Sequence, residues 1–235
     1  MAFPRSLSQP QLRVAKTALF ALCALPFLVM VLGAFGLAGV SLGANPVEEL
    51  MDRNGQWGLR FLLITLAVTP LRRITGWHWL VRLRRMLGLF AFFYVLMHFV
   101  TYALIDHRLD LGIIVEDIIE RPFITLGITA LVLLIPLAAT STNAMMRRLG
   151  KRWQTLHRLI YPIAILGVWH FWWQVKQDLR EPLIYALILA VLLGYRMWWQ
   201  RRQAARSADH DDGLTGDPDG GGKPARPSMP LAQGR

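Results

Sequence analysis

Three histidines carry the chemistry this sequence can offer: His98, His157 and His170. His157 and His170 share the stretch 153–173, WQTLHRLIYPIAILGVWHFWW, thirteen residues apart. His98 lies in another apolar run, 86–105. An imidazole is costly to bury in hydrocarbon, so an ionisable group in a membrane segment is a functional hypothesis from the start. Two imidazoles at one depth on neighbouring helices are what bis-imidazole ligation of a b-type haem requires, one axial nitrogen from each side with the porphyrin between the helices. The competing reading for a single ring is a hydrogen bond to an adjacent helix. The chain has one cysteine, Cys23, and no CxxCH. A covalently attached c-type haem and an intramolecular disulfide are therefore excluded.

The elements that must hold these rings follow from composition. The 235 residues are only 17% charged, and the mean hydropathy is +0.37. The apolar residues come in long charge-poor runs, which is the pattern of a polytopic membrane protein set in a lipid bilayer. The net charge of +11 sits in short clusters between those runs, as in cytoplasmic loops, and does not point to nucleic acid. The expected fold is an all-α integral membrane protein, a six-transmembrane-helix bundle with haem between helices three and five. The spans are 17 to about 40, 61–71, 86–105, 122–140, 153–173 and 182–199. The second reaches spanning length only if it starts near Trp57, with Arg60 snorkelling to the interface. The domain division is a cytoplasmic N-terminus (1–16), the helical haem-binding domain (17–200) and a Gly-, Pro-, Asp- and Arg-rich tail (201–235) expected to be disordered. No repeat of 20–50 residues is evident.

Loop charge gives an orientation. Alternate regions hold Arg5, Arg13 and Lys16; then Arg72, Arg73, Arg82, Arg84 and Arg85; then Arg147, Arg148, Lys151 and Arg152; then the basic tail. The intervening loops hold Arg53, then Arg108 and Arg121, then Lys176 and Arg180. By the positive-inside rule both termini are cytoplasmic. Spans three and five then run in the same direction. His98 lies eight residues before Asp106, and His170 eight before Asp178, so the two should sit at one depth in the outer half of the membrane.

His157 lies about 20 Å from His170 along a helix, near the cytoplasmic face. It is a candidate ligand for a second redox centre. On a straight helix, however, the two rings would be about 140° apart, and Pro162 and Gly167 between them can kink it. Span three offers no second histidine. Arg84 and Arg85 stand at that depth, and with Arg158 they are candidate partners for haem propionates; Met86 offers only a weak ligand. His78 and His107 fall in loops and His210 in the tail, where they are expected to be solvated. Most tryptophans cluster at span ends as an interfacial belt, and Arg60 reads as an anchor there. There is no GxGxxG in a strand–helix context and no Walker loop. Electrons must come from another protein, a bound flavin or a membrane quinol. A self-contained ferric or oxygen reductase would need a fused flavin and nucleotide domain, and a transporter with a histidine proton path would bind no haem.

The stretches ANPVEEL, LRFLLITLAVTPLRR, RRMLGLFAFFYVLMHFVTY, RPFITLG, PLAATSTNAMMRRLGKRWQTLHRLIYP and HFWW cover roughly residues 43–175. In that order they resemble the MsrQ (YedZ) family, the haem-binding membrane subunits of the bacterial periplasmic methionine sulfoxide reductase system, within the wider ferric-reductase-like transmembrane group. The resemblance implies one or two haem b groups held by His98, His157 and His170, and an associated FMN. It implies electrons drawn from the quinone pool of the inner membrane. Their recipient would be a periplasmic molybdenum-containing catalytic subunit, forming a heterodimer with this one, that reduces methionine sulfoxide in damaged proteins. On that reading the chain is an electron-transfer subunit and not an enzyme on its own. Oxidases of the wider group carry two histidines on each haem helix; here Arg84 and Arg85 take the place of the fourth.

Overall fold

A computed structural model describes the backbone of residues 7–175 and 178–215, with side chains as far as 206. Among the described residues every regular element is a helix. Helix α1 (Gln9–Ala34) opens with a capping box, the Ser8 hydroxyl and the Gln11 side chain each bonding the other's backbone N–H. It starts earlier than the apolar run and stops short of the expected end near 40. Gly36, Ala38 and Gly39 all have positive φ there, which a helix does not tolerate. Inside α1, Pro26 has no N–H to offer. One residue on, the Tyr94 hydroxyl accepts from Phe27 N at 3.0 Å and donates to Cys23 O at 2.7 Å. It stands between the donor and acceptor of one helical turn and ties α1 to α3.

Helix α2 (Pro46–Thr75) absorbs the acidic segment expected as a loop. Asn45 caps Glu48 N, Pro46 takes the first turn, and Glu48 and Glu49 lie where the helix dipole favours carboxylates. The end is set by Gly76, left-handed at φ 74°, whose N–H returns to Arg72 O. A 3₁₀ turn (His78–Leu80) leads into α3 (Val81–Val100), which continues as a π-helix (Thr101–Asp106). The loop 106–121 contains a further helix, α4 (Leu111–Glu120), capped by Asp110. Then come α5 (Pro122–Ala139) and two short helices in the basic loop, α6 (Asn143–Leu149) and α7 (Lys151–Leu156).

The expected fifth span is broken. A 3₁₀ turn (His157–Leu159) separates α7 from α8 (Ile160–Gln174). Pro162 explains the position: it lacks the N–H that would bond Arg158 O, and its ring crowds that carbonyl. Helix α9 (Arg180–Thr215) continues well past 201, so the tail expected from that point is helical at its start. The run QRRQAARSA supplies good helix formers there. Residues 216–235 lie outside the described residues.

Among the described residues, four helical stretches are long and apolar enough to cross a membrane: Gln9–Ala34, His78–Asp106, Pro122–Ala139 and Arg180–Arg206. Of the two other expected spans, α2 has the length, at 30 residues, but charged first turns, and α8 is only 15 residues because of the break. Large apolar side chains cover the outside of these helices, among them Phe20, Leu25, Val132, Ile135, Leu187 and Val191. So much exposed hydrocarbon is a surface for lipid.

The chain divides into two compact units, Met1–Gly194 and Tyr195–Arg235. The first holds every candidate site residue. Its interior is built from two helix pairs, α2 with α3 and α5 with α8. Ala91, Tyr94 and Ala164 are fully buried in this core. Small residues let the helices close: a Cβ on Gly58 would meet Val95 Cγ2 at 2.7 Å and its backbone N at 3.2 Å. In the second unit Tyr195 stacks on Trp199, and the Arg202 guanidinium lies 5.1 Å from the Trp198 ring centre.

Candidate functional site

His98 stands on the last turn of α3, just before the π-helix, and His170 near the end of α8. The matched depth expected of them brings them together: their ring centres are 6.0 Å apart, with the planes crossed at 78°. Each ring is fixed from behind. His98 Nδ1 lies 2.8 Å from Met51 O on α2. His170 Nδ1 lies 2.7 Å from Phe123 O on α5. A carbonyl oxygen only accepts, so both Nδ1 atoms carry the proton and donate. That fixes the tautomer and leaves the Nε2 lone pair of each ring free, which is the form that binds a metal. An unsatisfied Nδ1–H at this burial would cost about 1–3 kcal/mol. The carbonyls therefore hold ring orientation as well as protonation.

Among the described residues no group of three or more His, Cys, Asp or Glu is placed to hold a metal ion. Two crossed imidazoles are too few ligands for an isolated ion, but they suit an iron whose other four nitrogens come from a porphyrin. The walls agree with an apolar group: the Phe123 ring centre is 6.0 Å from that of His170. One residue before Gly55, the buried Asn54 gives its Nδ2 to Leu50 O and leaves Oδ1 without a protein partner. The residues present thus fit a haem at His98 and His170.

His157 is elsewhere, in the 3₁₀ turn. Its ring stacks on Trp153 at 3.9 Å between centres, and its Nε2 lies 3.1 Å from the Thr140 hydroxyl. Trp153 Nε1 donates to Thr140 O at 3.0 Å, closing a small cluster at the end of α5. Three residues wound as 3₁₀ turn about 60° further than three wound as α, so the angle expected on a straight helix does not apply. Arg85 bonds the Asn143 side chain. Arg84 is half-buried and Arg158 exposed. Arg60, read as an interfacial anchor, is packed inward: it lies 4.9 Å from the Trp57 ring centre and donates to Tyr185 Oη at 2.8 Å and Gln56 Oε1 at 3.1 Å. Trp57, assigned to the belt, packs against the core.

His107, expected to be solvated, is not. Its Nε2 lies 3.0 Å from the Asp117 carboxylate, which also takes Tyr102 Oη at 3.2 Å and Arg121 Nε at 3.3 Å. Asp117 is buried, and this clamp seats α4 against the π-helix. Sequence reasoning missed Met51 and Phe123 because they act through backbone oxygen, which no residue type advertises. Both contacts span the same length of chain: each histidine bonds a carbonyl 47 residues upstream.

The family described as ferric reductase like transmembrane component matches residues 54–168. That span takes in His98 and His157 and stops just before His170. Among curated proteins, the protein-methionine-sulfoxide reductase heme-binding subunit MsrQ of Herminiimonas arsenicoxydans is 51% identical, covering 85% of this chain and 92% of its own length. That of Ralstonia nicotianae is 52% identical over 87% and 94%. That of Bordetella pertussis is 56% identical over 72% and 84%. No solved structure matches. Likeness of this strength along nearly the whole length of its relatives, spanning both helix pairs, places the chain in the MsrQ family.

Proposed function

We propose that this chain is a membrane cytochrome b that passes electrons from the quinone pool across the inner membrane to a periplasmic molybdoenzyme, which reduces methionine sulfoxide in oxidised proteins. The observation that carries this reading is the pair of crossed imidazoles, each with Nδ1 tied to a backbone carbonyl and Nε2 free. His98 and His170 would hold a haem b, which would supply one-electron redox chemistry when bound. The protein contributes orientation and burial. The two carbonyls hold the proton on Nδ1 and leave the Nε2 lone pair open, the apolar helix faces exclude water, and the helix pairs hold both rings against displacement. The chain is an electron-transfer subunit and leaves catalysis to its partner.

Six spans with both termini cytoplasmic put this pair toward the periplasm and His157 toward the cytoplasm. α2 crosses despite its polar first turns, and α7–α8 cross as one broken span. His157 is the inner-side ligand, where electrons enter. Arg84, which lies beside it, and the less buried Arg85 and Arg158 are the partners for propionates. FMN, by family resemblance, is the further cofactor on the donor side. The periplasmic partner forms a heterodimer through the loops 47–56, 106–121 and 174–181, of which residues 176 and 177 lie outside the described residues.

A reduced-minus-oxidised absorption spectrum of the purified protein tests the reading. The parent shows a b-type signal, and His98→Ala and His170→Ala each remove the part of it contributed by the haem between these two rings. A parent without haem, or variants that keep the parent spectrum, would overturn the reading.

A further inference from the structure

The two histidines are held by one device used twice. In the first helix pair the device is Met51 O, Gly55 and His98; in the second it is Phe123 O, Gly127 and His170, at the same spacings. In each case the glycine is the residue four positions after the accepting carbonyl. In an α-helix that residue's N–H bonds the same carbonyl, and its side chain lies over the neighbouring surface. A Cβ on Gly55 would stand 3.0 Å from His98 Nδ1 and 3.2 Å from Cε1. A Cβ on Gly127 would stand 3.0 Å from both His170 Nδ1 and Cε1. Those distances are shorter than ordinary carbon–nitrogen contact, and they fall on the atom that makes the hydrogen bond.

Other glycines in the same helices do something else. Gly58, one turn beyond Gly55, faces Val95 and no imidazole. Gly88 on α3 has only Thr65 Cγ2 near it, at 3.8 Å. The requirement for a missing Cβ at the ring is therefore confined to Gly55 and Gly127.

We infer that Gly55 and Gly127 are the positioning residues of the haem site: by lacking a side chain they let each imidazole reach the second lone pair of a helical carbonyl, and so fix the crossed ring planes. The inference rests on His98 and His170 being the axial ligands. The acceptor cannot be removed by substitution, since it is backbone, so the glycine is the point at which the sequence controls the contact. Adding a methyl group must shift or rotate the ring by a few tenths of an ångström. Either change lengthens or bends the Nδ1–H···O bond and alters the angle between the two planes.

The test compares Gly55→Ala and Gly127→Ala with Gly58→Ala and Gly88→Ala, each purified in detergent with its haem. The readouts are haem retained per protein, helical content by circular dichroism, and the electron paramagnetic resonance spectrum of the ferric form. Crossed axial imidazoles give the strongly anisotropic low-spin type of signal, whose shape reports the angle between the rings whatever the yield. Gly55→Ala and Gly127→Ala are expected to keep the helical content, to lower haem affinity by about 10-fold to 100-fold, as loss of an outer-shell partner does, and to change the signal shape in the haem that remains. Gly88→Ala is expected to match the parent. Gly58→Ala is expected to lower stability and keep the parent signal shape. Haem retained with the parent signal in Gly55→Ala and Gly127→Ala would overturn the inference. So would loss of helical content together with haem, which would make the glycines packing residues. A parent with no haem would instead strike the ligand assignment itself, so the two failures are distinguishable.

Discussion

The α2–α3 and α5–α8 pairs solve the same problem at one end and different problems at the other. Toward His98 and His170 they are near copies: a carbonyl in the first turns of one helix, a glycine one turn on, and a histidine late in the helix paired with it. Toward the opposite end they part. Counting by the same spacing, the position of His157 in the second pair is held by Arg85 in the first. His157 is stacked on Trp153 and bonded to Thr140, whereas Arg85 reaches Asn143. Their supports differ too. The first pair is tied to α1 through Tyr94, which corresponds to Leu166 in the second, and its histidine helix ends in a π-turn clamped by Asp117. A site built twice by one device is symmetric by construction. The end where one pair has an imidazole and the other a guanidinium cannot be.

The comparison predicts how each part responds when broken. The largest effect is at the shared site. His98→Ala and His170→Ala are expected to cost the same share of the b-type signal, and the double variant to look like either single one, because the two ligands act as a unit. A large difference between the singles would break the symmetry. The next effect tests the end that differs. His157→Ala is expected to lower haem per protein while the outer low-spin signal persists. Unchanged haem content with unchanged electron transfer would reduce His157 to a helix-end residue.

Smaller effects separate the supports. Asp117→Ala leaves Tyr102 and His107 without their acceptor, at a cost of about 1–3 kcal/mol. Hydrogen exchange should rise in α4 and the π-turn and stay at the parent level in α8. Tyr94→Phe removes the hydroxyl between Phe27 N and Cys23 O, worth about 1 kcal/mol, and should lower the unfolding temperature without changing the haem spectrum. The smallest effect concerns the outer acidic side chains Glu48, Glu49, Asp52, Glu116 and Glu120. Affinity for the periplasmic partner should fall as salt rises, since exposed charge is screened. A flat salt series would remove these residues from the contact.

Much of this was legible before any coordinates. Runs of apolar residues disclose membrane helices because the bilayer demands them, and the equal distances from His98 to Asp106 and from His170 to Asp178 disclosed the matched depth. The helix boundaries were harder. The acidic residues before Trp57 looked like a loop because charge suggests solvent, yet Asn45, Pro46, Glu48 and Glu49 make a strong helix start. The break before α8 was half legible: Pro162 signalled a disturbance, but its form as a 3₁₀ turn placing His157 against Trp153 and Thr140 depends on what α5 presents there. His107 looked solvated because its partner, Asp117, lies on a helix the charge pattern concealed.

The sequence by itself determined the all-helical membrane class, the family and the three histidines, because hydrophobic length and residue type are local properties of the chain. Only the tertiary structure decided how two of those rings are held. Their partners are backbone oxygens, which every residue carries, and glycines, whose type does not tell what lies beside them. A carbonyl becomes specific only when another helix brings a donor to it, and a glycine becomes a positioning residue only when something must occupy the space its side chain would have filled.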